Sequence, residues 1–462
     1  MAHELEFTAA SFLRIATVEA RRGRDDPGQQ FPAVNQIISK LKDVHLERRQ
    51  ACAPLWKTDD AMAHETYASY RPKIAELQNA KRAALETELQ KLSARLSSAL
   101  KNTGFAWGLG LGAAVGTRQT YRVATDPDRY FAMKQLEINL KNAHRLRPPH
   151  RNRVVAQLRD SLEGKLPRYV LRTDITSFYE SVPHATLLGH LRAEGGLSKT
   201  SLSLIQQLLD EWVALTGRDA GLPTGVGISA YLGEVFARQI DDALSGDPAV
   251  HFYGRYADDI VVVTRTTQER DAVEQSLDGA VRSLGLKLNP GKTLKCDPLA
   301  WAGNANKDPF DIVGPIDFLG YAISKSDGIV VVNMSSRTVD RYKLRLKLAF
   351  DRWAATIARS AGHESLVLDR IRFLTGNTKL MNSKGRAVTG IYFNYPVLTA
   401  GCPALALLDS DLSSLVTANI STLPQPLVDR LRNLTFQSGF NHRRFHRFSQ
   451  HQLERLVAVW HG

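Results

Sequence analysis

Cysteine is scarce in this chain of 462 residues, which contains only Cys52, Cys296 and Cys402. The three are far apart in sequence, so no pair has the close spacing of a structural zinc site. So few, widely separated cysteines fit a reducing compartment, where disulfides are rare. We therefore expect a cytoplasmic protein without a zinc module.

Long apolar runs are missing as well, and acidic residues are in deficit. No run reaches the ~18 apolar residues that a membrane span needs, and the first six residues lack the basic-then-apolar pattern of a signal peptide. The chain has 60 Lys and Arg against 47 Asp and Glu, a formal net charge of +13. A basic surplus of this kind is typical of proteins that bind phosphate groups. The composition predicts a soluble, intracellular protein that binds nucleic acid and no membrane.

The tetrapeptide Tyr256-Ala257-Asp258-Asp259 is flanked on both sides by short β-prone runs, which together predict a β-hairpin. The hairpin would hold two adjacent carboxylates at its tip, an unfavourable arrangement unless a cation neutralises them. Upstream, an apolar strand beginning at Tyr169 ends at Asp174. Carboxylates from separate strand ends can converge on Mg²⁺, which prefers oxygen ligands. The alternative is a helix N-cap at Asp174 and an ordinary turn at the tetrapeptide.

Five motifs in the order found here resemble those of the reverse transcriptase family, and they span about residues 169–325. They are the strand that ends at Asp174, the segment 221–229, the tetrapeptide 256–259, the segment 284–293 and the segment 318–321. One such match would be weak, but the ordered set is specific. The resemblance implies an α+β fold, a right-hand polymerase with palm and fingers, a helical N-terminal extension and a helical thumb and C-terminal region.

The resemblance also assigns the catalytic residues. It implies that Asp174, Asp258 and Asp259 are catalytic and that Lys292 lies near the leaving phosphates. It further implies two Mg²⁺ ions, with Mn²⁺ as the alternative, held by the three aspartates and by Ile175. Two such ions about 3.5–4 Å apart can activate an attacking hydroxyl and stabilise departing pyrophosphate.

A second group of residues is expected to bind the incoming nucleotide. Tyr179 occupies the place of an aromatic that excludes a 2′-hydroxyl, which implies a preference for deoxynucleotides. The other expected nucleotide-binding residues are Pro223, Thr224, Gly225, Arg151 and Arg153. Many relatives have glutamine in place of Thr224, so template handling or fidelity is expected to differ here. A core aromatic, an ordinary loop and solvated arginines are the structural alternatives.

A third group is expected to bind the nucleic-acid strands. Segment 318–321 resembles the hairpin that grips the primer end, and basic residues alternate with apolar ones from about residue 337. Farther on, segment 441–448 mixes cations with aromatic rings, which suits single-stranded nucleic acid. The predicted contacts are Phe318, Leu319, Gly320, Arg341, Arg345, Arg443 and Arg444. An amphipathic surface helix remains the alternative for the arginines near residue 341.

The predicted domains are a helical N-terminal extension over residues 1–115, fingers over 116–168, a palm over 169–335, and a helical thumb and C-terminal region over 336–462. In the extension, leucines recur at the 3–4-residue spacing of one helix face. These are Leu85, Leu89, Leu92, Leu96 and Leu100. We expect this face to pack against the polymerase body, with a short coiled coil as the alternative.

The sequence predicts an RNA-directed DNA polymerase that adds deoxynucleotides to a primer by two-metal phosphoryl transfer. The helical regions at both ends resemble bacterial defence-associated and abortive-infection reverse transcriptases, within the group II intron and retron-like lineage. The expected partners are an RNA template, a dedicated non-coding RNA, the DNA product and deoxynucleoside triphosphates, with an oligomer or second protein left open. The alternatives are a group II intron-type maturase or RNA-binding protein and a retron reverse transcriptase.

Overall fold

A computed structural model describes residues 6–21, 27–101, 104–116, 118–147, 150–164, 166–297, 314–326, 329–356, 360–380 and 388–460. The chain divides into two compact units, each built from two stretches. The first contains Met1–Arg147 and Tyr179–Phe236; the second contains Pro148–Phe178 and Ala237–Gly462. None of the helices in the described ranges has the length and apolar character of a membrane span.

The described residues form helices and short strands in the following order. The helices are α1 Ala9–Arg21, α2 Pro32–Leu55, α3 Asp60–Ser69, α4 Arg71–Lys101, α5 Pro127–Ala143, α6 Arg151–Leu162, α7 Phe178–Ser181, α8 His184–Glu194, α9 Lys199–Thr216, α10 Gly227–Ser245, α11 Thr267–Ser283, α12 Ser336–Ala354, α13 Ala361–Thr375, α14 Ile391–Asn394, α15 Pro403–Ala418, α16 Gln425–Arg432, α17 Phe436–Asn441 and α18 Gln450–Val457. The strands are β1 Gly110–Leu111, β2 Tyr121–Arg122, β3 Tyr169–Asp174, β4 Phe252–Tyr256, β5 Asp259–Thr264, β6 Leu294–Cys296, β7 Ile316–Phe318, β8 Tyr321–Ser326, β9 Ile329–Met334, β10 Asn377–Lys379, β11 Val388–Gly390 and β12 Phe445–His446.

The first unit is built mainly of helices. The predicted leucine stripe lies on α4, where Leu85, Leu89, Leu92 and Leu96 are buried. α4 packs against α1, α2, α3 and α5 of the same unit. The leucine spacing predicts this helix because leucines three and four residues apart share one helix face. Burial of that face stabilises α4 more than the helix propensity of its residues alone does.

The second unit is organised around a four-stranded antiparallel sheet with the strand order β4-β5-β3-β6. β5 is central, and its residues Ile260–Val263 are fully buried, which explains why this strand is an unbroken apolar run. α6 packs against β4, and α11 packs against β3 and β5. These helices hold the sheet in place, and the packing thereby fixes the positions of the residues at the strand ends.

The chain after this sheet forms a β-meander and then a helical region. β7, β8 and β9 pair antiparallel, and a three-stranded sheet with the order β11-β10-β12 joins distant parts of the C-terminal region. α12 begins after the Ser335 N-cap and buries Tyr342, Leu346, Phe350 and Trp353. These apolar residues belong to one core together with the inner faces of α6 and the sheet.

The expected fold class, an α+β polymerase with palm and fingers, is confirmed. Helix predominates over strand, with 63% against 13% of the residues that the structure describes. The two compact units do not coincide with the four consecutive ranges expected from the sequence, since α6 lies in the second unit while α8 and α9 lie in the first. The four domain boundaries stay predictions.

Candidate active site

The predicted hairpin is formed by β4 and β5, which are joined by a two-residue turn. Tyr256 pairs with Asp259 across the turn, so Ala257 and Asp258 form its tip. Ala257 has a φ of 54°, a region in which a residue with a Cβ is strained. Two-residue turns with a positive φ match the right-handed twist of the strands, which accounts for the conformation.

Sheet register brings the upstream aspartate to the hairpin. Asp174, the last residue of β3, pairs directly with Asp259, the first residue of β5. Residues opposite each other on antiparallel strands have Cα atoms about 4.5–5.5 Å apart. The Ile175 N–H donates to the Asp258 carbonyl at 3.1 Å, which ties the next residue of the chain to the tip. The three aspartates predicted from sequence therefore share one corner of the second unit.

Each of two carboxylates has a basic partner in this structure. Lys292 Nζ forms an ion pair with Asp174 Oδ2, and Arg172 Nη2 donates to Asp259 Oδ1 at 3.1 Å. The Asp174 side chain is only 3% exposed, whereas that of Lys292 is 53% exposed. Two buried polar atoms of this corner, Asp174 Oδ1 and Arg172 Nε, have no hydrogen-bond partner. A buried polar atom without a partner is costly, and its presence points to a group that binds here.

The oxygen atoms of this corner fit a divalent cation. Asp174 Oδ1 is unpaired, Asp259 lies opposite it, and Asp258 is adjacent in the chain. Ile175 can offer only its main-chain carbonyl. In the described part of the chain, no three His, Cys, Asp or Glu side chains are grouped closely enough to form a metal cluster. One or two carboxylates completed by substrate phosphates are nevertheless the usual ligands of Mg²⁺, and this corner supplies them.

An ion pair between the buried Arg255 and the partly exposed Asp241, which was not foreseen from the sequence, anchors the hairpin turn. Arg255 donates to both oxygens of Asp241, at 2.7 Å each, and to the Ala257 carbonyl at 3.0 Å. The Tyr253 hydroxyl donates to the same carboxylate at 2.7 Å. Burial, followed by the charge of Asp241, raises the pKa of Tyr253 well above its usual value. The network ties the strained turn to helix α10.

A cavity of about 810 Å³ opens beside the aspartates within the second unit. Asp259, Lys292 and Arg172 line it at one end, and Arg341 on α12 lines it elsewhere. Burial also raises the pKa of Asp317, another lining residue, and the charge of Arg172 opposes that rise. Five cationic side chains and three carboxylates line the cavity, so positive charge predominates there, as a site for phosphate groups requires.

The predicted primer-gripping segment forms the tight turn between β7 and β8, and it lines the same cavity. Leu319 and Gly320, its two central residues, have positive φ values of 51° and 82°. Phe318 is buried at the base, whereas Leu319 is only partly buried. The Gly320 carbonyl accepts from the Ser335 N–H at 3.1 Å and from the Thr338 hydroxyl at 3.0 Å. The N-terminal end of α12 thus fixes this turn.

Four of the predicted nucleotide-binding residues lie in the first unit. The Tyr179 carbonyl accepts from the Leu222 N–H at 2.6 Å, and the buried Pro223 has its carbonyl bonded to Ser229. Thr224 Oγ1 donates to the Gln119 carbonyl at 3.0 Å. Gly225 has a φ of 99°, and a Cβ there would lie 2.8 Å from the Tyr121 carbonyl oxygen. Glycine is therefore required at position 225 because the backbone of β2 lies so close to it in this structure.

The other two, Arg151 and Arg153, lie on α6 in the second unit. Arg151 donates to the Asn394 carbonyl and stacks over the rings of Tyr321 and Tyr395, at 5.4 and 5.1 Å from their centroids. It also lines the cavity. Arg153 is exposed and does not line the cavity. The structure therefore brings Arg151 to the cavity and leaves Arg153 outside it.

The predicted strand-binding arginines of the C-terminal region are spread over several surfaces. Arg341 donates to the Tyr395 hydroxyl at 2.6 Å and lines the cavity. Arg345 lies over the Trp460 ring, 5.6 Å from its centroid. Arg443 lies 4.3 Å from the centroid of the Tyr392 ring, and Arg444 is exposed. Only Arg341 is thus brought to the aspartates' cavity, and the roles of all four stay predictions.

Comparisons with known proteins place this corner within a recognised domain. Residues 128–323 match the family model described as "Reverse transcriptase (RNA-dependent DNA polymerase)". Asp174, Asp258, Asp259 and Lys292 all lie within this range. No curated protein sequence matches the chain.

Among solved structures, the chain is similar to telomerases of Candida. For a telomerase from Candida albicans in complex with the TWJ fragment of telomeric RNA, the identity is 13%, the TM-score 0.35, and the match covers 72% of this chain and 58% of that one. For the corresponding complex from Candida tropicalis, the values are 12%, 0.37, 79% and 65%. The chain thus spans somewhat more than half the length of the first of these telomerases. Likeness at this level does not bear on function.

Proposed function

We propose that this chain, which contains a reverse transcriptase domain over residues 128–323, is an RNA-directed DNA polymerase. It would extend a primer with deoxynucleotides by phosphoryl transfer. The observation that carries the proposal is the register that sets Asp174 opposite Asp259, beside Asp258, with a buried carboxylate oxygen left unpaired. A purely structural corner has no need to crowd carboxylates in this way, because like charges repel.

Asp174, Asp258 and Asp259, with the Ile175 carbonyl, would hold divalent cations, which we propose to be Mg²⁺. When bound, such cations lower the pKa of the primer hydroxyl and stabilise the departing pyrophosphate. Arg172 holds the Asp259 carboxylate in place, and the exposed Lys292 carries a cation on a flexible stem beside Asp174. Lys292 would therefore neutralise charge on the triphosphate. The rest of the rate enhancement would come from positioning the primer end and the triphosphate.

The positions of the cavity residues support a primer end at the Leu319–Gly320 turn. The cavity runs between this turn and the aspartates, and Arg341 and Arg337 of α12 line it as well. Arginine side chains of this kind pair with backbone phosphates without reading sequence. We also propose, as the family resemblance implies, that Tyr179, Pro223, Thr224 and Gly225 bind the incoming nucleotide.

Two observations support a proposal for the biological role: the net charge of +13 and the helical regions before and after the sheet. We propose a cytoplasmic enzyme of bacterial antiphage defence that copies a dedicated structured RNA. Sequencing of the RNA and DNA that co-purify with the wild-type chain and with Asp258→Ala tests this. We expect one dominant RNA in both samples, and complementary DNA with the wild type alone. The same RNA without DNA in either sample would favour an intron-type maturase or RNA-binding protein instead.

A further inference from the structure

The N-terminal helices of the first unit carry a pocket that the proposed polymerase chemistry does not use. It has a volume of about 320 Å³ and lies between α2 and α3, at the low end of the range for small-ligand pockets. The lining side chains that matter here are His45, Arg48, Arg49, Cys52, Trp56 and Tyr67. Cationic and aromatic groups thus line one small surface.

The aromatic residues of this pocket are unusually accessible. Trp56, at the C-terminal end of α2, is 45% exposed, and Tyr67 on α3 is 37% exposed. His64 meets the indole ring edge-on, with centroids 4.9 Å apart at 88°. A large aromatic ring buries much apolar area when another group stacks on it. The exposed indole of Trp56 therefore offers a stacking surface.

The cations of the pocket are not neutralised within it. Arg48 lies over the Tyr67 ring at 4.2 Å from its centroid, which fixes the guanidinium while leaving its edge able to donate. Arg49 is exposed on the same helix. Every lining residue belongs to the described part of the chain, and none is a carboxylate. The neighbouring Glu47 pairs with Lys73 at 3.4 Å, outside the pocket.

We propose that this pocket, formed by His45, Arg48, Arg49, Trp56 and Tyr67, binds one base of a single-stranded RNA and the phosphates beside it. A base would stack on Trp56, and Arg48 and Arg49 would pair with the flanking phosphates. Single strands are held in this way, by aromatic platforms next to positive charge. The choice of RNA rests on the proposed function, because a polymerase that copies RNA must hold an unpaired template strand.

The test uses the full chain and a fluorescent ten-nucleotide RNA of unstructured sequence, in EDTA and without nucleotides, so that polymerisation is not required. The Trp56→Ala variant is expected to bind this RNA about five- to 100-fold more weakly than the wild type, because one base can no longer stack. Trp56→Phe should keep most of the affinity, because it keeps a ring. Arg49→Ala should also lower the slope of log affinity against log salt by about 0.7 for each phosphate that the variant no longer binds. Lys57→Ala removes an adjacent exposed charge that does not line the pocket, and is expected to change little.

Position is tested separately by placing 5-iodouridine in the same RNA and mapping the photo-crosslink by mass spectrometry. We expect attachment to the peptide that contains Trp56 or Tyr67. Wild-type affinity in a folded Trp56→Ala chain, or crosslinks confined to other peptides, would overturn the pocket. If Lys57→Ala and Arg49→Ala lost the same affinity for RNA, the pocket would be overturned, because binding would then depend only on the general positive charge of this surface. Equal affinity for DNA of the same sequence would overturn the assignment to RNA, and loss of self-association in Trp56→Ala without loss of RNA binding would indicate a contact between copies instead.

The two proposals fail separately. Crosslinking at Trp56 in a wild-type chain that extends no primer would leave the pocket standing and overturn the polymerase. Primer extension by a chain that forms no such crosslink would do the reverse.

Discussion

Replacement of Arg255 by methionine is expected to loosen the β4–β5 hairpin. The Arg255 side chain is 5% exposed, and it donates twice to Asp241 and once to the Ala257 carbonyl at the hairpin tip. Methionine fills much of the same space but donates nothing, so Asp241 loses its cation. The Ala257 carbonyl then loses the hydrogen bond that links the turn, through Arg255, to Asp241 on α10.

The magnitude follows from burial. Removing one partner of a buried ion pair costs about 3–5 kcal/mol, but the Asp241 side chain is 30% exposed, so water recovers part of that loss. We expect Arg255→Met to lower the free energy of unfolding by about 2–4 kcal/mol. Urea denaturation followed by circular dichroism measures this, and single-nucleotide incorporation measures the effect on the hairpin.

Two further variants separate the contributions. Tyr253→Phe removes one hydrogen bond to Asp241 and should cost about 1 kcal/mol. The triple variant Arg255→Met, Asp241→Leu and Tyr253→Phe should regain much of the stability lost by Arg255→Met, because it leaves neither a carboxylate nor the Tyr253 hydroxyl unpaired. Its incorporation rate should stay low, because the Ala257 carbonyl is still unanchored. A single Arg255→Met variant within about 0.5 kcal/mol of wild type and fully active would refute the reasoning.

Three further predictions concern stability and reactivity. Gly439→Ala should lower the free energy of unfolding by about 3 kcal/mol, because the added Cβ would overlap the Thr375 carbonyl. Gly279→Ala, in open space on α11, should instead raise the free energy of unfolding by about 0.5–1 kcal/mol. Melting temperatures of the two variants and the wild type test both expectations. Burial raises the pKa of the Cys296 thiol to about 11, so a thiol reagent at pH 8 should modify it only after unfolding, and fast modification in the folded chain would contradict this. Burial, followed by the charges of Arg372 and Arg444, lowers the pKa of His446. The neutral imidazole therefore contributes its full share to folding stability above about pH 6.5, the pKa of histidine in the unfolded chain. This contribution is lost as the pH falls through the lower pKa of the folded state. His446→Phe should therefore reduce the difference in melting temperature between pH 7.5 and pH 5.5, and an unchanged difference would exclude this residue as the cause.

Local patterns were sufficient to predict the β4–β5 hairpin, the leucine stripe of α4 and the position of Asp174 at a strand end. In each case the signal lies within a few residues of the chain. Hydrophobic period and strand propensity act at that range, and tertiary packing here reinforces them.

Arg172 was missed, although a signal for it was present. It lies two residues before Asp174 on β3, and alternate residues of a strand share one face. Arg172 is therefore expected to lie on the same face of β3 as Asp174 and to reach the same corner, as its hydrogen bond to Asp259 shows.

The anchor beneath the hairpin could not be predicted in the same way. Asp241 lies on α10, and its pairing with Arg255 depends on how that helix packs against the sheet. The environment of Gly225 is similar, because only the folded chain brings β2 to it. Local sequence shows that a glycine is present but does not show which backbone approaches it.

The most direct test of the central claim is extension of a DNA primer on an RNA template of defined sequence, with deoxynucleotides and Mg²⁺. Wild-type chain is compared with Asp258→Asn, whose melting temperature is measured alongside. We expect DNA complementary to the template with the wild type, and none with a folded Asp258→Asn chain. Equal extension by both proteins, or no extension by a folded wild-type chain on any primed RNA, would contradict it.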